Sequence, residues 1–213
     1  MKHITFYFDF ISPYAALAFE QLPESLMGLS YGVTYKPILF AALLKRHGQL
    51  GPAEIKPKRD WTYRHVQWLA HRMGQEFQLP AAHPFNPLSL LRLAIASNEQ
   101  GTPNRYVTET LFRHVWRGGA DAVDAGRLAT LVASIAPQRD MNGDEVKAQL
   151  KANTDEAIAL DLFGVPAFVV DGKVFWGLDA LPMLGDYLRG DAWFEGPAWN
   201  TVRQVVQGAI RPK

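Results

Sequence analysis

Three short stretches carry residue types that could do chemistry together. Ser12-Pro13-Tyr14 follows the apolar run Ile4–Phe10, Gly164-Val165-Pro166 precedes Ala167-Phe168-Val169-Val170, and Gly177-Leu178-Asp179 follows Lys173-Val174-Phe175-Trp176. One reactive residue type is missing: the 213 residues include no cysteine. That excludes disulfides, thiolate metal sites, redox dithiols and a cysteine nucleophile. Ser12-Pro13 has the form of a helix start, serine being a favoured N-cap and proline fitting the first helical position without losing a hydrogen bond. A helix N-terminus carries about half a positive charge and several unpaired N–H donors, so it favours an anion, and a hydroxyl there can donate to that anion. If the anion were a thiolate, each unit of pKa decrease would reflect about 1.36 kcal/mol of preferential stabilisation. A decrease of roughly two units from ~8.5 would leave it largely ionised at neutral pH. In this chain such a sulfur has to come from a ligand. A plain N-cap satisfies the same residues. Ser12 has neither a Gly-x-Ser-x-Gly elbow nor a histidine close in sequence that would make it a nucleophile.

The elements that must position these stretches can be read from periodicity. Ile4, Phe6, Phe8 and Phe10 alternate with Thr5, Tyr7 and Asp9, and both sets are largely apolar, as in a strand covered on two faces. A helix through Ala15–Phe19 and a second strand around Tyr31–Ile38 complete a strand–helix–strand unit, which implies a parallel pair. Helical spacing then recurs in Trp61–Phe77, Leu88–Glu99, Tyr106–Arg117, Ala125–Ala136 and Asp144–Leu160, punctuated by Pro, Gly and Asn. Strand signals return only around Asp171-Gly172, a two-residue hairpin signature, and a last helix starts near Asp179, which is placed to cap it.

Composition narrows the function classes. Lys plus Arg number 22 and Asp plus Glu 21, a net charge of +1 with no basic run, which argues against a nucleic-acid partner. No apolar run approaches the roughly 18 residues of a membrane span, and Met1-Lys2-His3 leads straight into a strand, unlike a signal peptide. The Arg211-Pro212-Lys213 end matches no common address signal, so a cytoplasmic protein is expected. The six histidines show no metal spacing, and no metal site is expected. Trp61, Tyr63 and Trp68 are read as packing.

The order βαβ, helical segment, X-Pro, β-hairpin, helix is that of an α/β thioredoxin-like fold with an all-helical domain inserted between its βαβ and ββα halves. Residues 1–60 and 159–213 would form the thioredoxin-like domain and 61–158 the insertion. In that fold the first helix begins with a reactive cysteine that a cis-proline faces. The chain resembles the 2-hydroxychromene-2-carboxylate isomerases and kappa-class glutathione transferases, relatives of the disulfide oxidoreductases. The likeness rests on Phe6–Tyr14, Gly51-Pro52-Ala53-Glu54-Ile55, His83-Pro84-Phe85-Asn86-Pro87, Phe163-Gly164-Val165-Pro166 and Phe175-Trp176-Gly177-Leu178-Asp179.

The resemblance implies glutathione as cofactor, with Ser12 holding its sulfur as the catalytic residue and Pro13 and Tyr14 beside it. It implies a cis Val165–Pro166 bond with Val165 backbone groups pairing with the cysteinyl backbone, and the Leu178 and Asp179 N–H groups at the γ-glutamyl end. Gln49 stands where the family often has asparagine, and Ala180 where it usually has arginine. Lys58 would meet the glycyl carboxylate or the substrate, and Phe85 and Asn86 would line the pocket of a small aromatic substrate. In thiol oxidoreductases of this fold a buried acid lies six residues before the first cysteine; Phe6 occupies that position, so the redox function is excluded twice. The resemblance thus implies a glutathione-dependent cis-trans isomerase of an aromatic-catabolism intermediate, acting as a homodimer. A kappa-type transferase or peroxidase and a non-catalytic thioredoxin-fold binding protein are the alternatives.

Overall fold

The computed structural model describes residues 1–206, 208 and 209. The Arg211-Pro212-Lys213 end lies outside the described residues. Strand β1 (Lys2–Phe8) pairs in parallel with β2 (Tyr31–Pro37) across helix α1 (Pro13–Ser25), and antiparallel with β3 (Ala167–Val170), which forms a hairpin with β4 (Lys173–Trp176). The sheet order is β2-β1-β3-β4. The hairpin turn is Asp171-Gly172, with φ of 49° and 75°. Positive φ at both central residues is what a two-residue turn matching the sheet's twist requires.

β1 is the centre of the core. Ile4, Phe6 and Phe8 are fully buried among aromatic and aliphatic residues of α1 and the helical segment, and Phe6 stacks on Phe168 with ring centres 4.7 Å apart. Tyr7 points to the opposite face, into a second cluster with Ile38, Leu43, Ala157, Leu162 and Ala167. Both faces of the strand are therefore covered, which explains why its residues read as near-continuously apolar.

Six helices separate β2 from β3: α2 (Phe40–His47), α3 (Lys56–Arg72), α4 (Leu88–Ala96), α5 (Arg105–Trp116), α6 (Ala125–Ile135) and α7 (Asp144–Ala159). Two features differ from the sequence reading. Helix α2 was not expected: it is only eight residues long, and its N-cap, Leu39, offers no side-chain cap. Helix α3 begins at Lys56, five residues before the expected boundary at 61, and ends at Arg72 rather than Phe77. α7 packs on the sheet through Ala157, and its Glu156 accepts a hydrogen bond from Tyr7 at 2.6 Å and pairs with Lys36. After β4, a single 3-10 turn, Leu178–Ala180, leads into α8 (Leu181–Arg189). Short turns and α9 (Pro197–Asn200) then lay Phe194 and Trp199 against Phe175.

Candidate active site

The site begins where β1 ends. Ser12 takes an extended backbone and caps α1, its Oγ accepting the Ala15 N–H at 3.2 Å, with Pro13 at the first helical position. The Ser12 hydroxyl hydrogen points to the Val165 carbonyl at a long 3.4 Å. Val165–Pro166 is cis, as the resemblance implies, and His83–Pro84 is cis as well. Ser12 is 7% exposed, and that remaining surface opens into a large cleft. Gly164 lets the Trp176 indole pack against the segment before Val165, because a Cβ there would lie 2.5 Å from Trp176 Nε1.

The four-residue turn before α1 is braced from several directions. The Ser12 N–H donates to the Asp9 carbonyl at 3.1 Å. The Asp9 carboxylate accepts the Ile11 N–H at 3.1 Å and the Phe40 N–H, at the start of α2, at 3.0 Å. Trp116 Nε1 donates to the Phe10 carbonyl at 3.0 Å, and His83 Nε2 contacts the Ile11 carbonyl at 2.8 Å. Asp9 is wholly buried, and that burial pushes its carboxyl up to about 7 despite the backbone donors that favour the charged form. A buried acid is thus present near Ser12, three residues away rather than six. The position of Asp9 is plain in the sequence, but its burial is not, because α2, whose first N–H it accepts, was not anticipated.

All the residues expected at the site border one cleft of about 1540 Å³. Ser12, Pro13 and Tyr14 line it from the start of α1, Gln49 and Lys58 from the segment between α2 and α3 and the first turn of α3, Val165 and Pro166 from the residues before β3, and Leu178 and Asp179 from the turn after β4. Phe85 and Asn86 line it from the loop that follows α3. The volume exceeds the 300–1,000 Å³ usual for one small ligand, leaving room for two. Gln49, Lys58 and Asp179 are exposed, and among the described residues Lys58 makes no ion pair and the Asp179 carboxylate has no partner. Asp179 does not cap the last helix as expected. The 3-10 turn starts the helical path one turn early, with Gly177 at its cap and Ala180 preceding α8.

Helix α3 contributes residues that the sequence reading assigned to packing. Its buried positions are Thr62, Val66 and Ala70, so 61, 65 and 68 fall on another face. Trp61 and Trp68 are 64% and 51% exposed, and each stacks on His65 with ring centres 6.0 Å apart. Trp61 and His65 line the cleft, and His65 Nδ1 lies 2.9 Å from the Tyr14 hydroxyl. Burial, and then the nearby Asp179, raise the Tyr14 pKa, which keeps its hydroxyl a neutral donor. The spacing 61-65-68 along one helix was the signal that these side chains share a face. No cluster of three metal-ligating side chains occurs among the described residues.

A four-stranded β2-β1-β3-β4 sheet, with a helix start facing a cis-proline across it, defines a thioredoxin-type protein. The model of the DSBA-like thioredoxin domain matches residues 3–189, and the chain belongs to that family. Within it, the chain is 30% identical over 194 residues to a 2-hydroxychromene-2-carboxylate isomerase of Pseudomonas putida, covering 85% of this chain and 91% of that protein. It is 27% identical over 218 residues to glutathione S-transferase kappa 2 of Caenorhabditis elegans, covering 92% and 95%. A solved 2-hydroxychromene-2-carboxylate isomerase superposes with a TM-score of 0.75 at 22% identity, covering 91% of this chain and 97% of that one, a likeness of fold.

Proposed function

We propose that this protein is a glutathione-dependent isomerase of the 2-hydroxychromene-2-carboxylate type, acting on a conjugated intermediate of aromatic catabolism. The observation that carries the reading is the Ser12 hydroxyl at the start of α1, facing Val165 across the cleft in a chain without cysteine. Bound glutathione would supply a nucleophilic sulfur for reversible addition to a conjugated carbon, which lets a double bond rotate. The chain's own residues suit such a guest. The long Ser12–Val165 contact is weak enough to be exchanged for a charge-assisted bond to an anion. The N-terminus of α1 adds its dipole.

Val165, next to Pro166, offers backbone to a peptide-like ligand, as in strand addition. Asp179 and Lys58, unpartnered among the described residues, suit an ammonium and a carboxylate at opposite ends of a tripeptide, with Gln49 and the Leu178 and Asp179 N–H groups as further polar contacts. Phe85 and Asn86, with Trp61, form the wall for the aromatic substrate. The reading brings with it a cytoplasmic homodimer supplied from the cell's glutathione pool; no described helix is long and apolar enough to cross a membrane.

The similarity to a kappa transferase over 95% of that protein's length supports a second reading, in which glutathione is consumed by conjugation or peroxide reduction. Parallel assays with a chromene carboxylate and a chlorinated aromatic separate the two. Isomerisation with glutathione unchanged is the expected outcome; glutathione depletion without isomerisation would favour the transferase. No calorimetric binding of glutathione would leave a non-catalytic binding protein.

A further inference from the structure

The peptide joining Ile11 to Ser12 is held at both ends. Its N–H donates to the Asp9 carbonyl at 3.1 Å, and its carbonyl lies 2.8 Å from His83 Nε2. A peptide is planar, so fixing its oxygen and its N–H fixes its orientation and the backbone angle at Ser12. The two anchors differ in origin. Asp9 belongs to the turn itself, whereas His83 sits 72 residues away on the loop after α3.

The hydrogen-bond chemistry at His83 is determined by its neighbours. The Ile11 carbonyl can only accept, so Nε2 carries a hydrogen. Burial lowers the pKa of the imidazole, favouring the neutral ring, in which Nδ1 is an acceptor. The Tyr63 hydroxyl lies 2.7 Å from Nδ1 and 3.0 Å from the His83 carbonyl, and its one hydrogen serves these two acceptors. Trp116 and Phe85 pack on the ring with centres 5.5 and 6.0 Å away. The ring is therefore held in one tautomer and one plane.

Resting on the reading that Ser12 holds the cofactor sulfur, we propose that His83, set by Tyr63, is a positioning residue that aims the Ser12 hydroxyl and the first N–H groups of α1 at that sulfur. His83 borders the cleft two residues before Phe85, so the loop that forms the substrate wall also grips the cofactor turn. Nothing about the histidine pattern in the sequence indicates this role, because the contact is made to backbone.

The test is the pKa of the glutathione thiol when bound, followed by thiolate absorbance, in wild type, His83→Ala, His83→Gln and Tyr63→Phe. Removing the donor in His83→Ala is expected to raise that pKa by about one unit, about tenfold less thiolate at a pH below it. His83→Gln keeps an N–H near the Nε2 position and is expected to restore most of the shift, and Tyr63→Phe, which removes the partner of Nδ1 and loosens the ring, should fall between. A purely structural role would lower thermal stability in the variants without moving the thiol. If His83→Ala does not fold, Tyr63→Phe and His83→Gln still decide the matter, the tyrosine variant being required to raise the pKa. An unmoved pKa in variants that bind glutathione overturns this proposal alone, as does an equal rise in His83→Ala and His83→Gln. A wild-type protein that binds no glutathione overturns the cofactor reading and this proposal with it.

Discussion

Asp9 is the residue whose environment departs most from its sequence context. Its folded carboxyl, at about 7, lies above the ordinary 3.8, so the folded state binds the proton more tightly than the unfolded chain. The stability this contributes is full below about pH 4 and is lost as pH rises through about 7. Asp9→Asn cannot ionise and loses one accepted backbone N–H. Urea denaturation should show it costing more at pH 5 than at pH 8, the gap closing by a few kcal/mol; a gap constant with pH would contradict the burial argument. Ser12 was legible because N-cap and N1 signals are local. Asp9 and His83 were not, since both act through backbone groups brought together only by the fold. Phe6, in place of an acid, is legible in type, and the ring it stacks on, Phe168, only in three dimensions.

At the level of elements, strong local signals translated directly. The Asp171-Gly172 turn and the parallel β1–β2 pair are where periodicity and turn chemistry place them. Helix α2 was hidden by its shortness and missing cap, and α3 was misread because its aromatic residues looked like core. We propose that 61–158 forms the inserted unit, with α7 also serving as cover for the sheet through Ala157. The exposed face of α3 yields a discriminating pair of variants. Trp61→Ala and Trp68→Ala should each leave unfolding free energy within about 0.5 kcal/mol, as exposed positions do. Only Trp61 lines the cleft, so only its loss should raise the KM for an aromatic substrate several-fold. A large stability loss in either variant would return these residues to a packing role.

For the whole molecule, the sheet and the helical segment enclose a cleft that combines two kinds of lining. Ser12, the Val165 backbone, and Asp179 and Lys58, unpartnered among the described residues, are polar; Trp61, His65 and Phe85 are aromatic. The absence of cysteine was visible from the outset, and the fold gives it a place: the helix start that carries a thiol in oxidoreductases of this type here presents a hydroxyl, which under the proposed function meets a thiol brought by a ligand. The most direct test is to titrate the thiol of bound glutathione in wild type and Ser12→Ala. A thiol ordinarily near 8.5 should fall to about 7 or below in wild type, and rise by one to two units in the variant, the equivalent of a charge-assisted hydrogen bond of about 1.5–3 kcal/mol. The same pKa in both proteins would contradict the assignment of Ser12 as the residue that holds the sulfur.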